Sequence, residues 1–310
     1  MNIGKSKIWF CLFNPIAGKI DHQMALTEIE KEFQKSGLAF EIYITKSKGD
    51  ATEIVYQNIV SGYRKFVAIG GDGTIHEVVN GIMTQTIVLS QEISFATIPV
   101  GTGNDWAKHH KIPSDIGRSI ALIKRNNTGY QDIGKAIFHR KNTEITEYFN
   151  NVAGMAYDAF VVKKLEERKS KPNKFVYIFS VLSYLFQYKL QKAILNIDNK
   201  CIQGKFYTIN IGICKYSGGG MSLVPHAIHN DGLFAVTYAK ELSKISILLN
   251  TYRFYNETLI AHPRINGLQA KNISVKADNT TPILLELDGE LVGNTPVKFK
   301  IITNALKFLC

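Results

Sequence analysis

The sequence predicts an α/β domain built on a parallel sheet, followed by a mainly antiparallel β-sandwich domain. Apolar segments alternate with helical patterns as far as residue 124, a rhythm typical of βαβ units. Two of these segments, Ile8–Phe13 and Phe66–Ile69, are apolar at every position, as strands covered on both faces are. After residue 130 the chain changes to short β-branched and aromatic segments, which predict antiparallel structure.

The length of 310 residues also favours two domains, because a single core stops growing beyond roughly 250–300 residues. We place the first domain at residues 1–133 and the second at 134–296. The tail, residues 297–310, is expected to return to the first domain. Two helical segments, at about Tyr157–Tyr188 and Leu242–Tyr255, are expected to interrupt the second domain.

Composition limits the compartment and the partners. The 37 Lys and Arg residues exceed the 26 Asp and Glu residues, and a net charge of +11 attracts nucleotides, nucleic acids or anionic membranes, although solubility explains it equally well. The four cysteines form no C-x-x-C pair, which favours a reduced, intracellular chain. Because no apolar stretch reaches the ~18 residues of a membrane span, we expect a cytoplasmic protein that touches membranes only peripherally.

The segment Gly70-Gly71-Asp72-Gly73-Thr74 leads from a predicted buried strand into a predicted helix. Glycines let backbone N–H groups approach an anion closely, and the helix dipole adds to the attraction, so phosphate is the natural ligand. A carboxylate beside such a cradle repels phosphate unless a metal lies between them. The alternative is a tight turn in which Thr74 and Glu77 form a capping box.

Two further loops follow predicted strands in the same half of the chain. Pro99-Val-Gly-Thr-Gly-Asn-Asp105 supplies a hydroxyl, an amide and a carboxylate, although Asn104 or Asp105 could simply cap the next helix. Asn14-Pro-Ile-Ala-Gly18 could be a plain turn. Ligands of doubly wound sheets bind beyond the carboxyl ends of the strands, so we expect the three loops to meet there.

In this order the three loops resemble the signatures of the diacylglycerol kinase catalytic family, which includes bacterial lipid kinases and the sphingosine and ceramide kinases. Two later stretches extend the resemblance. Ser217–Ala227 with Asn230–Leu233 is similar to the family's second-domain motif, and Asp288-Gly-Glu290 is similar to its late acidic motif. The resemblance covers nearly the whole chain, although a Gly-Gly-Asp-Gly turn alone also occurs in NAD kinases and phosphofructokinases.

The resemblance implies an ATP site and a magnesium site in the first domain. The residues that would surround ATP are Asn14, Pro15, Gly18, Thr45, Gly70, Gly71, Asp72, Gly73, Thr74, Ile75, His76, Thr102 and Asn104. Asp72 and Asp105 would organise the catalytic magnesium, with Asp132 as a third carboxylate. Thr45 also has a plain explanation as the end of the strand Phe40–Ile44, and Asp132 could equally be a turn residue.

Two other positions carry alternatives. His76, a position that is commonly Asn in the family, is expected to be a surface residue or, less readily, a phosphate contact. The resemblance also implies a second metal site, formed by the Asp231 side chain and the backbone carbonyls of Ile228 and Leu233. Oxygen ligands of this kind suit magnesium, but an ordinary Asx turn before a strand explains the same residues.

Phosphoryl transfer needs in-line positioning, neutralisation of the phosphates and an acceptor for the hydroxyl proton. Asp72 serves catalysis through the metal, and Asp288 and Glu290 are the candidate acceptors. At positions i and i+2 of a strand they would project to the same face and reach the γ-phosphate from the second domain. The resemblance favours Glu290 as the base with Asp288 as its partner, and the alternative is a β-turn with exposed acids.

The sequence therefore predicts an ATP- and magnesium-dependent kinase that phosphorylates a hydroxyl of a lipid, such as diacylglycerol or a long-chain base, at an anionic membrane surface. We expect no nucleic-acid partner and leave a homodimer open. The lipid chains are expected in an apolar cleft of the second domain, partly screened by Phe175–Tyr188 with Lys171, Lys174 and Lys189 toward the head groups. A buried core helix explains the same segment equally well. The alternatives are an NAD kinase and a non-catalytic protein that binds nucleotides or anionic membranes.

Overall fold

The computed structural model describes residues 4–18, 21–141, 143–167, 183–278 and 280–310. The chain forms two compact units, one of Met1–Ile133 with Thr303–Cys310 and the other of Gly134–Ile302. The predicted fold class is confirmed, because the first unit is built on parallel strands and the second on antiparallel ones.

The first unit alternates strands and helices as far as its last strand. Its strands are β1 (Trp9–Phe13), β2 (Phe40–Ile44), β3 (Lys65–Gly70), β4 (Ser94–Pro99) and the first part of β5 (Thr128–Arg140). Its helices are α1 (His22–Ser36), α2 (Asp50–Val60), α3 (Asp72–Thr84), α4 (Asp105–His109) and α5 (Ile116–Arg125). Short 3-10 turns cover Lys5–Lys7 and Ser90–Glu92.

The sheet of the first unit has the order β4-β3-β1-β2, with every neighbouring pair parallel. The end of the last strand of the chain, β17 (Glu290–Leu309), adds a further parallel neighbour, because Lys307 and Phe308 pair with the start of β4. All five residues of β1 are buried, as its apolar sequence predicts. One face of the sheet packs against α1 and α5, with Ile29 and Phe33 fully enclosed.

The second unit contains most of the β structure. Its strands are the rest of β5, β6 (Thr143–Phe149), β7 (Val152–Ala156), β8 (Gln191–Ile197), β9 (Lys200–Phe206), β10 (Thr208–Gly212), β11 (Tyr216–Ser217), β12 (Met221–Ser222), β13 (Phe234–Ala239), β14 (Ile265–Ala270), β15 (Asn272–Ala277), β16 (Leu284–Leu287) and most of β17. Its helices are α6 (Tyr157–Glu166) and α7 (Lys244–Leu249), with 3-10 turns at Thr251–Phe254 and Leu259–Ala261.

The strands of the second unit pair in the order β14-β13-β10-β7-β16-β17, and β15 joins β17 to β8 and β9. Strand β10 pairs with β7 and with β13, and both pairings are antiparallel. A large apolar core lies in this unit and includes Phe149, Phe206, Phe234 and Phe299. The inward residues alternate with exposed ones along β8 and β9, which is the pattern of strands with one buried face.

The structure tests the two predicted helical segments of this unit in part. The first begins with α6, and residues 168–182, which include Lys171, Lys174 and part of the stretch predicted to face the membrane, lie outside the described residues. The second is interrupted at Asn250, whose side chain donates to the carbonyl of Ser246, and continues as a 3-10 turn. Among the residues that the structure describes, none of the helices combines the length and the apolar character needed to span a bilayer.

Candidate active site

Three loops of the first unit meet at the carboxyl ends of β1, β3 and β4, which are neighbours in the sheet. The side-chain amide of Asn14 donates to the hydroxyl of Thr74 at 3.0 Å, which ties the loop after β1 to the start of α3. A Cβ atom placed on Gly18 would overlap the carbonyl oxygen of Val100, so the same loop also lies against the loop after β4. The predicted convergence of the three loops is therefore present in the backbone.

Glycine is required where the second and third loops touch. A Cβ atom on Gly101 would overlap the Cα of Gly71 and come within 2.8 Å of Asn104 Oδ1. The contact is held by hydrogen bonds from the amides of Val100 and Gly101 to the carbonyl of Gly70, at 3.0 and 3.2 Å. Bare backbone at the N-terminus of a 13-residue helix is the arrangement that binds phosphate in other proteins.

Asp72 is the first residue of α3, two positions before the start that the sequence indicated. Its two carboxylate oxygens accept from the backbone amides of Asp105 and Trp106, each at 3.0 Å, so it caps the start of α4. The capping box suggested for Thr74 and Glu77 does not form. Glu77 instead accepts from the amides of Gly49 and Ala51 at the start of α2, at 2.8 and 3.1 Å.

The other two carboxylates predicted to hold magnesium are buried. Asp105 opens α4 and is 4% exposed. Asp132 lies inside β5 rather than in a turn, and its carboxylate accepts from the amide of Asn304 at 2.7 Å. The neighbouring Gln131 accepts from the indole N–H of Trp106 at 2.8 Å, which links β5 to α4. Asp132 thus anchors the returning tail, and its role as a metal ligand stays a prediction.

The surface position expected for His76 is wrong. The residue is 5% exposed and its ring lies 3.3 Å from the amide nitrogen of Asn80, one helical turn later. Ile75 is also buried, so only its backbone could face a ligand. Thr45 ends β2 with its amide and hydroxyl both directed to the carbonyl of Phe13, while Thr102 is exposed.

Asn104 lies in the third loop, after β4, with a backbone in the left-handed region at φ 55°. Its amide nitrogen donates to the carbonyl of Gly101 at 2.8 Å, which closes the loop on itself. Asn is among the residues that adopt this conformation most readily, so the sequence Gly-Thr-Gly-Asn suits the turn. The side chain of Asn104 does not cap α4 as the alternative reading suggested, because Asp72 supplies that cap.

In the second unit, Asp288 and Gly289 form the two-residue turn between β16 and β17, with φ values of 52° and 86°. Positive φ at both positions is the type I′ geometry that Asp-Gly favours. The expectation that Asp288 and Glu290 project from one strand face is therefore wrong. The expectation of exposed acids is also wrong for Asp288, which is 8% exposed.

The carboxylate of Asp288 accepts from three successive backbone amides, those of Asn150, Asn151 and Val152, at 2.8–3.1 Å. It therefore fixes the loop between β6 and β7. Glu290 opens β17 and is partly exposed. Of the two acids, Asp288 has the geometry of a structural anchor, and Glu290 the more accessible position.

Around the predicted second metal site, Asp231 is exposed and forms an Asx turn. Its carboxylate accepts from the amide of Leu233 at 3.0 Å and from the side-chain amide of Gln269 at 3.1 Å. Ile228 is exposed as well. The Asx turn that explained these residues without a metal is present, and cation binding at this loop stays a prediction.

The second unit contains a pocket, and Leu185, from the segment predicted to screen an apolar cleft, is one of its lining residues; most of the other lining residues were not predicted. Apolar side chains line most of it, with about 950 Å³ of empty space, the open mouth included. One polar residue in the wall of the pocket is Asp158, near the start of α6. Its carboxylate accepts a very short hydrogen bond from the hydroxyl of Thr208, and Asn210 also bonds to it. Two oxygen atoms in the pocket, Asn210 Oδ1 and Thr237 Oγ1, are buried and have no hydrogen-bond partner among the described residues.

Burial raises the pKa of Asp158 to about 6, and the hydrogen bonds from Thr208 and Asn210 oppose that shift. Burial also raises the pKa of the neighbouring Tyr157 and Tyr207, whose rings stack with centroids 4.7 Å apart. A carboxyl group in such surroundings changes charge close to neutral pH. Only one local feature could have drawn attention to Asp158, namely its place just after the buried strand β7.

Comparison with known proteins relates both units to one family. Residues 9–136 match the model of the diacylglycerol kinase catalytic domain, and residues 151–310 match that of the YegS C-terminal NAD kinase beta sandwich-like domain. The chain belongs to the diacylglycerol kinase catalytic family. A diacylglycerol kinase of Staphylococcus saprophyticus is 28% identical over 93% of this chain and 90% of its own, and one of Staphylococcus haemolyticus is 29% identical over 93% and 83%.

Solved structures show the same fold at lower identity. A diacylglycerol kinase structure from Bacillus anthracis has a TM-score of 0.72 at 21% identity, covering 98% of this chain and 96% of that one. A yeast NADH kinase in complex with NADH has a TM-score of 0.53 at 13% identity, covering 100% and 87%. Membership of the diacylglycerol kinase family indicates a kinase, and the NADH kinase shares the fold alone.

The residues of this family member fit the nucleotide and the cation that kinase chemistry uses. The glycine contact between Gly71 and Gly101 leaves backbone where side chains would block a phosphate, next to the positive end of α3. Asp72 and Asp105 both offer carboxylate oxygens, and the backbone amide of Asp105 donates to the Asp72 carboxylate. Oxygen-only donors are those that magnesium prefers, and each carboxylate oxygen can accept more than one donor or bind a cation.

Proposed function

We propose that the protein is an ATP- and magnesium-dependent lipid kinase that transfers the γ-phosphoryl group to a hydroxyl of diacylglycerol or of a long-chain base. The observation that carries the proposal is the backbone contact between Gly71 and Gly101 at the start of α3, with Asp72 beside it. Membership of the kinase family and the names of the staphylococcal relatives support it.

In this proposal the phosphates of ATP lie against the amides at the start of α3, and Asn14 and Thr102 contact the nucleotide. The link between Asn14 and Thr74 holds the first loop in place for that contact. Asp72 and Asp105 would hold the magnesium ion, and the ion would neutralise charge on the phosphates. Asp72 has a second task, because it fixes the start of α4 and with it the position of Asp105.

The proton of the lipid hydroxyl passes to Glu290, and Asp288 positions the hairpin from which Glu290 extends. This assignment follows from the three amides that occupy the Asp288 carboxylate. Lipid chains occupy the apolar pocket of the second unit, and Asp158, Asn210 and Thr237 contact the polar part of the lipid. Polar atoms without partners in an apolar pocket supply orientation and specificity for a ligand.

The test is transfer of labelled phosphate from ATP to a panel of diacylglycerol, sphingosine-type bases, ceramide and NAD, with and without magnesium. We expect magnesium-dependent labelling of at least one lipid and none of NAD. Labelling of NAD alone would overturn the assignment in favour of an NAD kinase. Absence of any transfer, together with ATP binding, would indicate a non-catalytic nucleotide-binding protein.

Two variants in the same assay separate the roles of the acids. Asp72→Asn should abolish nearly all transfer, and a shift in its magnesium dependence would distinguish a metal ligand from a cap of α4. Glu290→Gln should lower kcat by about 10²–10⁴-fold with ATP affinity retained, as expected for a general base. Asp115→Asn is the matched control, because Asn can keep the cap that Asp115 gives to α5.

A further inference from the structure

The segment that forms one wall of the apolar pocket also carries apolar side chains on its outer surface. This segment consists of α7 and the 3-10 turn after it. Its inner face lines the pocket through Ser246, Ile247, Asn250 and Phe254. The outer face carries a group of exposed residues that we call the apolar patch, and its members are Ile245, Leu248, Leu249 and Tyr252. Their exposed fractions run from 36% for Leu248 to 72% for Leu249.

The patch lies along α7 and the 3-10 turn that follows it. Ile245 and Leu249 are four residues apart in α7 and share one helical face, and Tyr252 follows in the 3-10 turn. A helix that is apolar on both faces is unusual at a surface exposed only to water. Clustered exposed apolar groups of this kind mark sites that contact another protein or a membrane.

Basic residues flank the patch. Lys244 donates to the carbonyl of Phe186 at 2.8 Å and lies over its ring, and that ring is 62% exposed. Arg253 lies over the ring of Tyr252 at 5.3 Å. Between residues 240 and 264 the chain has four Lys or Arg residues (Lys240, Lys244, Arg253 and Arg264) and two acids (Glu241 and Glu257). One of these acids, Glu257, is paired with Lys215 at 3.0 Å.

We infer that the apolar patch docks on an anionic lipid bilayer, with its basic neighbours at the level of the head groups. The inference rests on the proposed function, because the wall that carries the patch encloses the pocket assigned to the lipid. Apolar side chains that enter the membrane interface, surrounded by Lys and Arg, form the usual combination for interfacial binding. A lipid substrate would then pass from the bilayer into the pocket beside the same segment.

A second copy of this chain is the competing occupant. The positive charge of the rim favours the membrane, since two identical basic rims would repel each other across a symmetric interface. An anionic bilayer supplies the complementary charge that a second copy lacks. Self-association is therefore an outcome that the experiment must be able to detect.

The test is flotation of the full chain with phosphatidylcholine vesicles that contain phosphatidylglycerol, in the absence of ATP. The double variant Ile245→Ser with Leu249→Ser removes apolar groups from the patch without changing charge. We expect it to lower vesicle binding about tenfold or more, because two large side chains no longer leave water. The matched control is Met24→Ser with Leu89→Ser, residues 71% and 70% exposed in the other unit, and it should bind as the wild type does.

Activity separates this inference from the proposed function. The patch variant should show a raised KM for vesicle-embedded lipid and an unchanged kcat for a short-chain, water-soluble lipid. Absence of lipid phosphorylation by the wild type would overturn the proposed function, while flotation would still test the docking surface. Equal flotation of the patch variant and the wild type would overturn the docking inference.

Sedimentation velocity tests the competing occupant. The wild type and the patch variant should sediment alike, because the inference gives the patch no role between copies of the chain. A wild-type dimer that the patch variant converts to monomer would overturn the inference, since the patch would then be a protein interface.

Discussion

The phosphate loops of the first unit and the pocket of the second unit are built in opposite ways. The loops bring backbone to backbone, as where Gly71 meets Gly101, and their polar side chains mostly bond to backbone amides. The pocket is built from side chains of separate segments, with polar groups such as Thr237 left without a partner among the described residues. A site formed by backbone atoms in contact has no room for one added carbon atom, whereas a site lined by side chains can adjust to it.

The largest effect is expected from one methyl group in the phosphate loops. Gly101→Ala places a Cβ onto the backbone of Gly71, which cannot move without shifting the start of α3. We expect a loss of stability of about 2 kcal/mol from overpacking. Displacement of the phosphate site should lower kcat/KM by about 10²-fold or more. Thermal unfolding and steady-state kinetics measure the two effects.

Gly117→Ala is the matched control for that variant. Gly117 lies in the first turn of α5, and an added Cβ would meet the Glu32 side chain at 3.4 Å and the Asp115 carboxylate at 3.5 Å, which are ordinary contacts. Alanine there should leave activity unchanged and raise stability by about 0.5–1 kcal/mol through helix propensity. If Gly101→Ala kept wild-type activity, the glycine contact would not form part of a phosphate site.

These differences in construction also explain what the sequence could predict. The loops could be found because each one holds glycine and polar residues within a few consecutive positions. The parallel sheet that joins them was predicted from apolar strands alternating with helices, but its strand order was not. An apolar cleft in the second unit was predicted, but most of its lining residues could not be named, because they come from segments between residues 157 and 265, and Asn210 and Thr237 resemble any strand residue.

Other predictions were wrong for local reasons. The face assigned to Asp288 assumed an extended backbone, but the Asp-Gly pair has positive φ and turns the side chain toward the amides of residues 150–152. His76 was expected at the surface because it lies near the start of a helix. Burial of that turn of α3 depends on packing that the local sequence does not report.

An effect of intermediate size is expected in the free energy of unfolding of the protein as a function of pH. The folded state holds the proton of Asp158 more tightly than the unfolded state does, since burial raises its pKa from 3.8 to about 6. The contribution of this group to stability is therefore full below pH 4 and is lost as the pH rises through 6. The size of the loss is about 3 kcal/mol for a shift of roughly two pKa units.

Asp158→Asn isolates that contribution, because Asn stays neutral at every pH. The free energy of unfolding of the variant minus that of the wild type should increase by about 3 kcal/mol between pH 4 and pH 7. Denaturant unfolding at several pH values measures the difference. A difference that does not change with pH would mean that the carboxyl group is not buried as the structure shows.

The smallest effect on stability is expected from two buried threonines. Because there is one in each unit, they also give the closest comparison between the units. Thr97 in β4 donates its hydroxyl to the carbonyl of Ala68 at 2.9 Å, whereas Thr237 in β13 has a buried hydroxyl without a partner among the described residues. Valine has nearly the same shape but cannot form the hydrogen bond. Thr97→Val should therefore cost about 1 kcal/mol, and Thr237→Val should leave stability unchanged or raise it slightly.

Activity should show the reverse order for these two variants. Thr97→Val should leave the KM for lipid unchanged, since its hydroxyl serves only the sheet. Thr237→Val should raise that KM by about three- to tenfold, the loss of one neutral hydrogen bond to the ligand. If Thr237→Val instead destabilised the protein and left the KM for lipid unchanged, the hydroxyl would serve the fold, and the pocket would lose one of its contacts to the lipid.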